Sequence, residues 1–397
     1  MNLSPSKKAR LAICVEYPVR NFGGTEVLVV ALTRGLAAHF NIVLVSRDSP
    51  ETFAESGLAP FVETHIPWSG ATTASASAAL AREFVRLQVD LAHFHFGGNY
   101  SWGIRRFNQS PLLFVRKEGI PCITTNHGVF GLLFGYCAPQ RPLWFKLSLL
   151  PFAWLSKLQT LLHVEEEVAV SKSDLRSLQK WYWPLCGKFN QVYHSIIPSE
   201  AVEEPNRIDD RQKTIVCVGS IGYRKGQVNL AEAFTQIAAR HPDWKLVLAG
   251  RWCEPTLVDQ IRALGEQTRL SHRIELFDNL SNEEIKTLLQ TSAIFAMPSL
   301  HEGLGLSLQE ALFYGCACIG SRVQGIPDLI QHDDNGLLVP PGDVDQLAAE
   351  LDRMMSDEGL RLRLSTRGRP SVLEKGMTSG QMVQNYLPLY ESILKKR

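Results

Sequence analysis

Two carboxylates in the last third of the chain have the residue type and spacing to hold a ligand between them. In the stretch Ser299 to Asp328, SLHEGLGLSLQEALFYGCACIGSRVQGIPD, seven residues separate Glu302 from Glu310, and a Gly-x-Gly turn between them opens a helix. On one helix their Cα atoms would stand about 12 Å apart. That is wider than the carboxylate pair that flanks one glycosidic bond, so a hydrolase dyad is disfavoured. The spacing suits gripping two ends of an extended ligand. Gly303, Leu304, Gly305 and Leu306 lie at the start of the helix, where free backbone N–H groups favour an anion.

Other polar positions fall at the ends of apolar runs. GSIGYRKGQ (219–227) follows TIVCV and sets Arg224 and Lys225 in a glycine-bearing loop, without the Walker spacing G-x4-G-K-[ST]. NFGGTE (21–26) brings Gly23 and Gly24 to a helix start, where the backbone can approach a phosphate closely. TTNHG (124–128) puts His127 at a strand end. A neutral imidazole there can hydrogen-bond a hydroxyl and support developing positive charge through its dipole. His93 and His95 alternate on LAHFH and so share a face; without a third ligand they make a poor metal site, and His95 is a minor candidate for acceptor contact. Asp343-x-Asp345 follows PPG and reads as an N-cap with first-turn charge, not as a metal motif.

In this order and on these elements, the motifs resemble the retaining glycosyltransferases of the GT-B fold, in the large family numbered four, also described as glycosyl transferases group 1. The resemblance covers nearly the whole chain. It implies that Glu310 accepts hydrogen bonds from the two ribose hydroxyls of a nucleotide and that Glu302 binds hydroxyls of the donor sugar. Amides 304–306 would contact sugar and phosphate. Lys225 matches the lysine that holds the donor diphosphate; Ser220 stands where an arginine is common, and Arg224 supplies charge from another position. Gly23 and Gly24 match a Gly-Gly loop, and His127 matches a T-x-H-G histidine near the anomeric end of the donor sugar. The chain departs from the family's Asn-Gly pair at His194 and Ser195 in YHSIIP (193–198), a change placed at the hinge.

The activity so implied is sugar transfer, with retention, from a nucleotide-diphosphate donor to a hydroxyl acceptor, a glycan or lipid-linked glycoconjugate. It needs no cofactor and no metal, and the donor would be a UDP- or GDP-sugar. Its base would sit around Gly250–Arg251 and Phe277–Leu280. Domain closure would exclude water. A nucleotide-sugar epimerase and a phosphorylase are alternatives on the same fold. A dehydrogenase is disfavoured because no G-x-G-x-x-G follows a strand, and intact Glu302, Glu310, Lys225 and His127 argue against a non-catalytic sugar-binding protein.

The elements that must position these residues alternate along the chain. Strand-like runs are expected at 11–15, 42–46, 91–95, 122–125 and 168–171, then at 214–219, 244–250, 273–277, 293–297 and 316–321. Helical patterns lie at 25–39, 76–88 and 174–182, then at 227–240, 255–268, 281–291, 304–314 and 343–356. Strands apolar throughout, with helices between, predict parallel sheets covered on both faces. The fold class is therefore α/β, with two doubly wound, Rossmann-like domains facing each other across a cleft that would hold the ligand. The expected division is an N-terminal acceptor domain 1–197, a linker 198–213 and a nucleotide-sugar domain 214–376. A last helix, 377–397, would pack back toward the first domain.

Composition sets the outer limits. A chain of 397 residues, 45% hydrophobic and 20% charged, suits two soluble cores and excludes a disordered or disulfide-scaffold class. The net charge of +1 gives no field for nucleic acid. Residues 1–195 carry 19 Lys/Arg against 13 Asp/Glu, and the remainder 22 against 27, a hint of different partners. Eight scattered cysteines without a C-x-x-C pair read as buried thiols of a cytosolic protein. The apolar stretch Leu11–Val15 is too short for a signal peptide, and no run of 18 apolar residues occurs. Residues 129–163 are unusually apolar and aromatic, with Arg141, Lys146 and Lys157 interspersed. They read either as a buried helix pair or as a surface lying on an anionic membrane or receiving a lipid acceptor.

Overall fold

The computed structural model describes residues 8–19, 24–71, 73–96, 102, 109–128, 142–198 and 210–396. The chain forms two units, residues 1–194 together with 379–397, and residues 195–378.

The first unit is built on seven parallel strands: β1 (Arg10–Val15), β2 (Asn41–Ser46), β3 (Thr64–Pro67), β4 (Leu91–Phe96), β5 (Cys122–Asn126), β6 (Glu166–Ala169) and β7 (Phe189–Gln191), in the order β3-β2-β1-β4-β5-β6-β7. Ile13 pairs with Leu44 on one side and His93 on the other, so the strand order reverses at β1 and β4. Every residue of β4 is buried, as a strand covered on both faces requires. Phe84, Phe94, Phe96 and Trp102 anchor one core, each large apolar side chain adding about 1.5–3 kcal/mol by leaving water. The C-terminal helix Ser379–Lys395 belongs to this unit. It lies so close to the helix Gly24–Leu36 that a Cβ on Gly35 would stand 2.4 Å from Val383 Cγ2.

The second unit has six parallel strands: β8 (Gln212–Val218), β9 (Lys245–Ala249), β10 (Ile274–Phe277), β11 (Ser292–Met297), β12 (Ala317–Ser321) and β13 (Leu337–Val339), in the order β10-β9-β8-β11-β12-β13. Phe234, Trp244, Leu246, Leu248, Ile294 and Leu351 are buried in one cluster between sheet and helices. Here the order reverses at β8 and β11. In sheets wound this way, ligands bind beyond the carboxyl ends of the strands at the reversal.

The structure departs from the sequence expectations at identifiable places. β3, β7 and β13 have only three or four residues each, too short for a periodic signal. The strand expected at 168–171 ends at Ala169 because Ser171 instead caps the next helix, its Oγ accepting from Asp174 N at 3.1 Å. β8 begins at Gln212, inside the expected linker, of which residues 199–209 lie outside the described part. Two cysteines expected to be buried, Cys186 and Cys253, are exposed.

Within 129–163, the described part is one helix, Leu143–His163. It buries Ser156, Lys157, Thr160 and Leu161 and exposes Trp144, Leu147, Phe152, Leu155 and Leu162. Lys157 is therefore not a surface cation. Its Nζ is ion-paired with the buried Glu167 carboxylate, which also accepts from Thr124 Oγ1. Arg141 and the Lys146 side chain lie outside the described part. Among the described residues no helix is long and apolar enough to cross a membrane.

Candidate functional site

In the second unit, the loops leaving β8 and β11 meet. β8 ends at Val218, and the chain turns through Tyr223–Lys225 to Gly226, which starts the helix Gln227–Ile237. Gly226 sits at φ 69°, and a Cβ there would lie 2.2 Å from the Pro298 carbonyl oxygen. Only glycine lets the two loops approach so closely. Gln227 holds the turn from below, its Nε2 donating to Ser220 O at 3.1 Å. Leu300 N donates to Arg224 O at 2.8 Å, fastening the loops directly.

This places Lys225 Nζ 2.5 Å from Glu302 Oε2 and Arg224 Nη1 4.0 Å from Glu302 Oε1. Burial pushes the Glu302 carboxyl upward. The charges of Lys225 and Arg224, with hydrogen bonds from Lys225 and the Gly303 amide, outweigh it and hold the group below its ordinary range. Ser299 Oγ lies 3.4 Å from the same oxygen, and Glu302 N donates to Gln324 Oε1 at 2.7 Å. Gln324 has φ 38°, a left-handed backbone uncommon outside glycine.

Glu302 precedes the helix and does not lie on it. The helix runs Leu306–Phe313, started by Gly305 at φ 95°, with Gly303 and Leu304 buried. The first-turn amides from Leu306 have no acceptor within the helix. Glu310 is on the helix and partly buried; its carboxylate has no hydrogen bond or ion pair among the described residues, and desolvation raises it to about 7. The segments expected at the nucleobase lie side by side, Gly250 N donating to Phe277 O at 2.9 Å and Trp252 N to Asp278 Oδ1 at 3.2 Å. Asp343 is an N-cap, its Oδ1 accepting from Gln346 N at 2.9 Å.

In the first unit, His127 follows β5, its N–H donating to Phe96 O at 3.0 Å. It belongs to a cluster. His95 Nδ1 lies 3.1 Å from His127 Nε2, and the rings of His93 and His95 are 4.1 Å apart. His93 bonds Tyr390 OH and Thr125 Oγ1, each at 2.8 Å; Tyr386 OH bonds Thr125 Oγ1 and His194 Nε2 at the same distance. Burial pulls His93 and His127 down to about 3 and His95 and His194 well below their ordinary value, so the imidazoles are neutral. His95 is 1% exposed, which removes it as an acceptor contact. His194 is a cluster member and not merely a hinge residue, while Ser195 opens the second unit with Oγ donating to Met377 O at 2.9 Å. Gly24 starts the helix Gly24–Leu36; Gly23 lies outside the described part.

Two known families between them match residues 22–370 of the chain. The family described as Glycosyltransferase Family 4 matches residues 22–204, and that described as Glycosyl transferases group 1 matches residues 198–370. Both halves of the chain thus match glycosyltransferase families. It is 30% identical over 168 residues to an uncharacterised glycosyltransferase of Methanocaldococcus jannaschii, 42% of either chain. It is also 30% identical over 188 residues to N-acetyl-alpha-D-glucosaminyl L-malate synthase of Bacillus anthracis, 47% of this chain and 48% of that one. The matches thus span just under half the length of these curated relatives. HepE of Anabaena, in complex with UDP and glucose, superposes with a TM-score of 0.74 at 13% identity, covering 97% of this chain and all of that one, and shows the GT-B fold.

Within the region that matches the group 1 family, the structure brings together Lys225, Arg224, Glu302 and the Gly303–Leu306 turn, with Glu310 on the helix that follows. Sequence reasoning missed Gln324, although its place before Gly-Ile-Pro in a turn was a signal. It also missed Tyr386 and Tyr390, whose i, i+4 spacing on an amphipathic helix is shared with ordinary core aromatics.

Proposed function

We propose that this chain transfers a sugar from a nucleotide-diphosphate donor to a hydroxyl acceptor with retention at the anomeric carbon. The observation that carries the reading is the Lys225–Glu302 pair beyond the reversal of the second sheet, with Glu310 further along the same segment. A cation suits a diphosphate, and Arg224 adds a second. A carboxylate kept ionised by Lys225 accepts from sugar hydroxyls, and Glu310 accepts from the ribose. The 303–306 turn adds backbone donors for phosphate. His127, neutral in its cluster, is assigned to the donor sugar. Lys225 and Arg224 supply the charge a leaving diphosphate needs, so the reading includes no metal. Retention without a protein nucleophile fits a front-face route in which the leaving phosphate helps take the acceptor proton.

HepE with UDP and glucose supports a nucleotide-sugar donor, and the Bacillus anthracis relative supports a hexosaminyl donor among the choices. A thermal-shift panel of UDP- and GDP-sugars tests the donor, since a ligand at 100 times its Kd adds about 2.7 kcal/mol. Proton NMR of the product's anomeric signal then reads retention against inversion. A folded protein that shifts with no nucleotide sugar overturns the reading.

The acceptor proposed is a glycan or lipid-linked glycoconjugate, approached from an anionic membrane surface at the cytoplasmic side. The observation favouring it is the row of exposed apolar side chains on Leu143–His163, with Trp181 and Trp183 exposed nearby in sequence.

A further inference from the structure

We propose that His95 is a positioning residue that locks His127 in the Nδ1–H tautomer, so that His127 meets the donor sugar as a hydrogen-bond donor and not as a base. The contact between His95 Nδ1 and His127 Nε2, at 3.1 Å, needs one proton, and the structure decides who supplies it. His95 Nε2 is buried and has no hydrogen-bond partner among the described residues. If His127 donated, His95 would be bare at Nδ1 and would carry its proton on Nε2, leaving an orphaned N–H in the core. Buried N–H groups without acceptors are rare, whereas an acceptor with an unused lone pair is better tolerated. His95 therefore carries its proton on Nδ1 and donates it.

His127 then accepts at Nε2 and holds its own proton on Nδ1. That nitrogen has no partner among the described residues, and His127 itself is only partly buried. Its one lone pair is occupied inside the protein, so it cannot take a proton from an acceptor hydroxyl. Burial disfavours the imidazolium as well. What remains is a neutral N–H donor, suited to a sugar oxygen. The backing of His95 is itself fixed: its ring lies 4.1 Å from that of His93, tilted by 37°, and both Tyr390 and Thr125 hold His93.

The assignment of His127 to the sugar rests on the function proposed above; the tautomer does not. Long-range ¹⁵N–¹H spectra of histidine-labelled full-length protein distinguish protonated from bare ring nitrogens. Nδ1 of His127 is expected protonated and Nε2 bare; the reverse assignment in wild type overturns the proposal, whatever the variants do. His95→Asn keeps an amide donor near the Nδ1 position, and His95→Phe removes it. With UDP-glucose and UDP-N-acetylglucosamine as probes, UDP release should fall about 10- to 100-fold in His95→Phe, with unchanged affinity for UDP, and recover in His95→Asn. A His95→Phe protein whose His127 tautomer is unchanged also overturns it. If the tautomer is as expected but His127→Ala turns over like wild type, the sugar assignment fails and the lock stands.

Discussion

Lys225 Nζ and Glu302 Oε2 stand 2.5 Å apart although they lie 77 positions apart in the chain, and both side chains are largely buried, 16% and 11% exposed. The doubly wound sheet makes the meeting, because β8 and β11 are neighbours and each loop leaves its strand at the same edge. Breaking such a pair leaves one charge buried without its partner, which costs about 3–5 kcal/mol. Lys225→Ala should therefore raise the Glu302 carboxyl and weaken nucleotide-sugar binding together. The Glu302 contribution to stability is present above the unfolded carboxylate range and is lost as pH falls through its lowered folded value. Acid titration of stability should show this loss in wild type and not in Glu302→Gln.

Glu310 gives the opposite sign. Desolvation raises its carboxyl to about 7, so near neutrality it is half protonated. Ribose hydroxyls donate best to the ionised form, so nucleotide binding should release a proton and weaken as pH falls below about 7, approaching tenfold per pH unit. Glu310→Ala should raise the nucleotide Kd by about 100-fold or more, since two hydrogen bonds to a charged acceptor, each worth about 1.5–3 kcal/mol, are lost. Calorimetry in two buffers of different ionisation heat reads both effects. Affinity independent of pH in wild type, or unchanged in folded Glu310→Ala, would remove the ribose assignment.

The site was legible in part, for a physical reason. Loops beyond buried parallel strands are short and carry residues that only a ligand or a tight turn explains, so GSIGYRKGQ and HEGLG stood out. The Gly-x-Gly turn was legible as a helix start, and the helix does open at Gly305, with Glu302 ahead of it and Glu310 on it. The β3 and β7 edge strands escaped because three or four residues cannot show a period. Lys157 looked like a surface charge because its partner, Glu167, lies ten residues away on a strand, beyond any helical spacing. The histidine cluster escaped for a similar reason: Tyr386 and Tyr390 come from the far end of the chain, and no local pattern joins them to His93 or His194.

Gly226→Ala tests how the loops are held. It asks an alanine to adopt φ 69° and sets its Cβ 2.2 Å from the Pro298 oxygen. Backbone strain and the forced shift together should cost about 2–4 kcal/mol. Urea denaturation should show a lower midpoint, and any folded fraction should bind nucleotide sugars more weakly because Lys225 is displaced. A midpoint like that of wild type would mean that the two loops separate without cost.

The last prediction separates membrane contact from core packing in the helix Leu143–His163. Trp144 is 69% exposed and Phe152 is 60% exposed, while Lys157, further along the same helix, is buried against Glu167. Insertion of aromatic side chains at the headgroup boundary would supply the apolar part of binding. The excess of Lys/Arg in residues 1–195 would add an attraction to anionic lipid that salt screens. Wild type should therefore float with anionic vesicles at low salt and less so at high salt, and Trp144→Glu with Phe152→Glu should stay in solution while remaining folded. Lys157→Glu should behave differently: it places two carboxylates together in the core and should lower thermal stability without acting through the membrane. Wild type that fails to float at low salt, or a Trp144→Glu, Phe152→Glu variant that floats equally well, would assign the exposed apolar row to another role and leave a soluble acceptor as the better expectation.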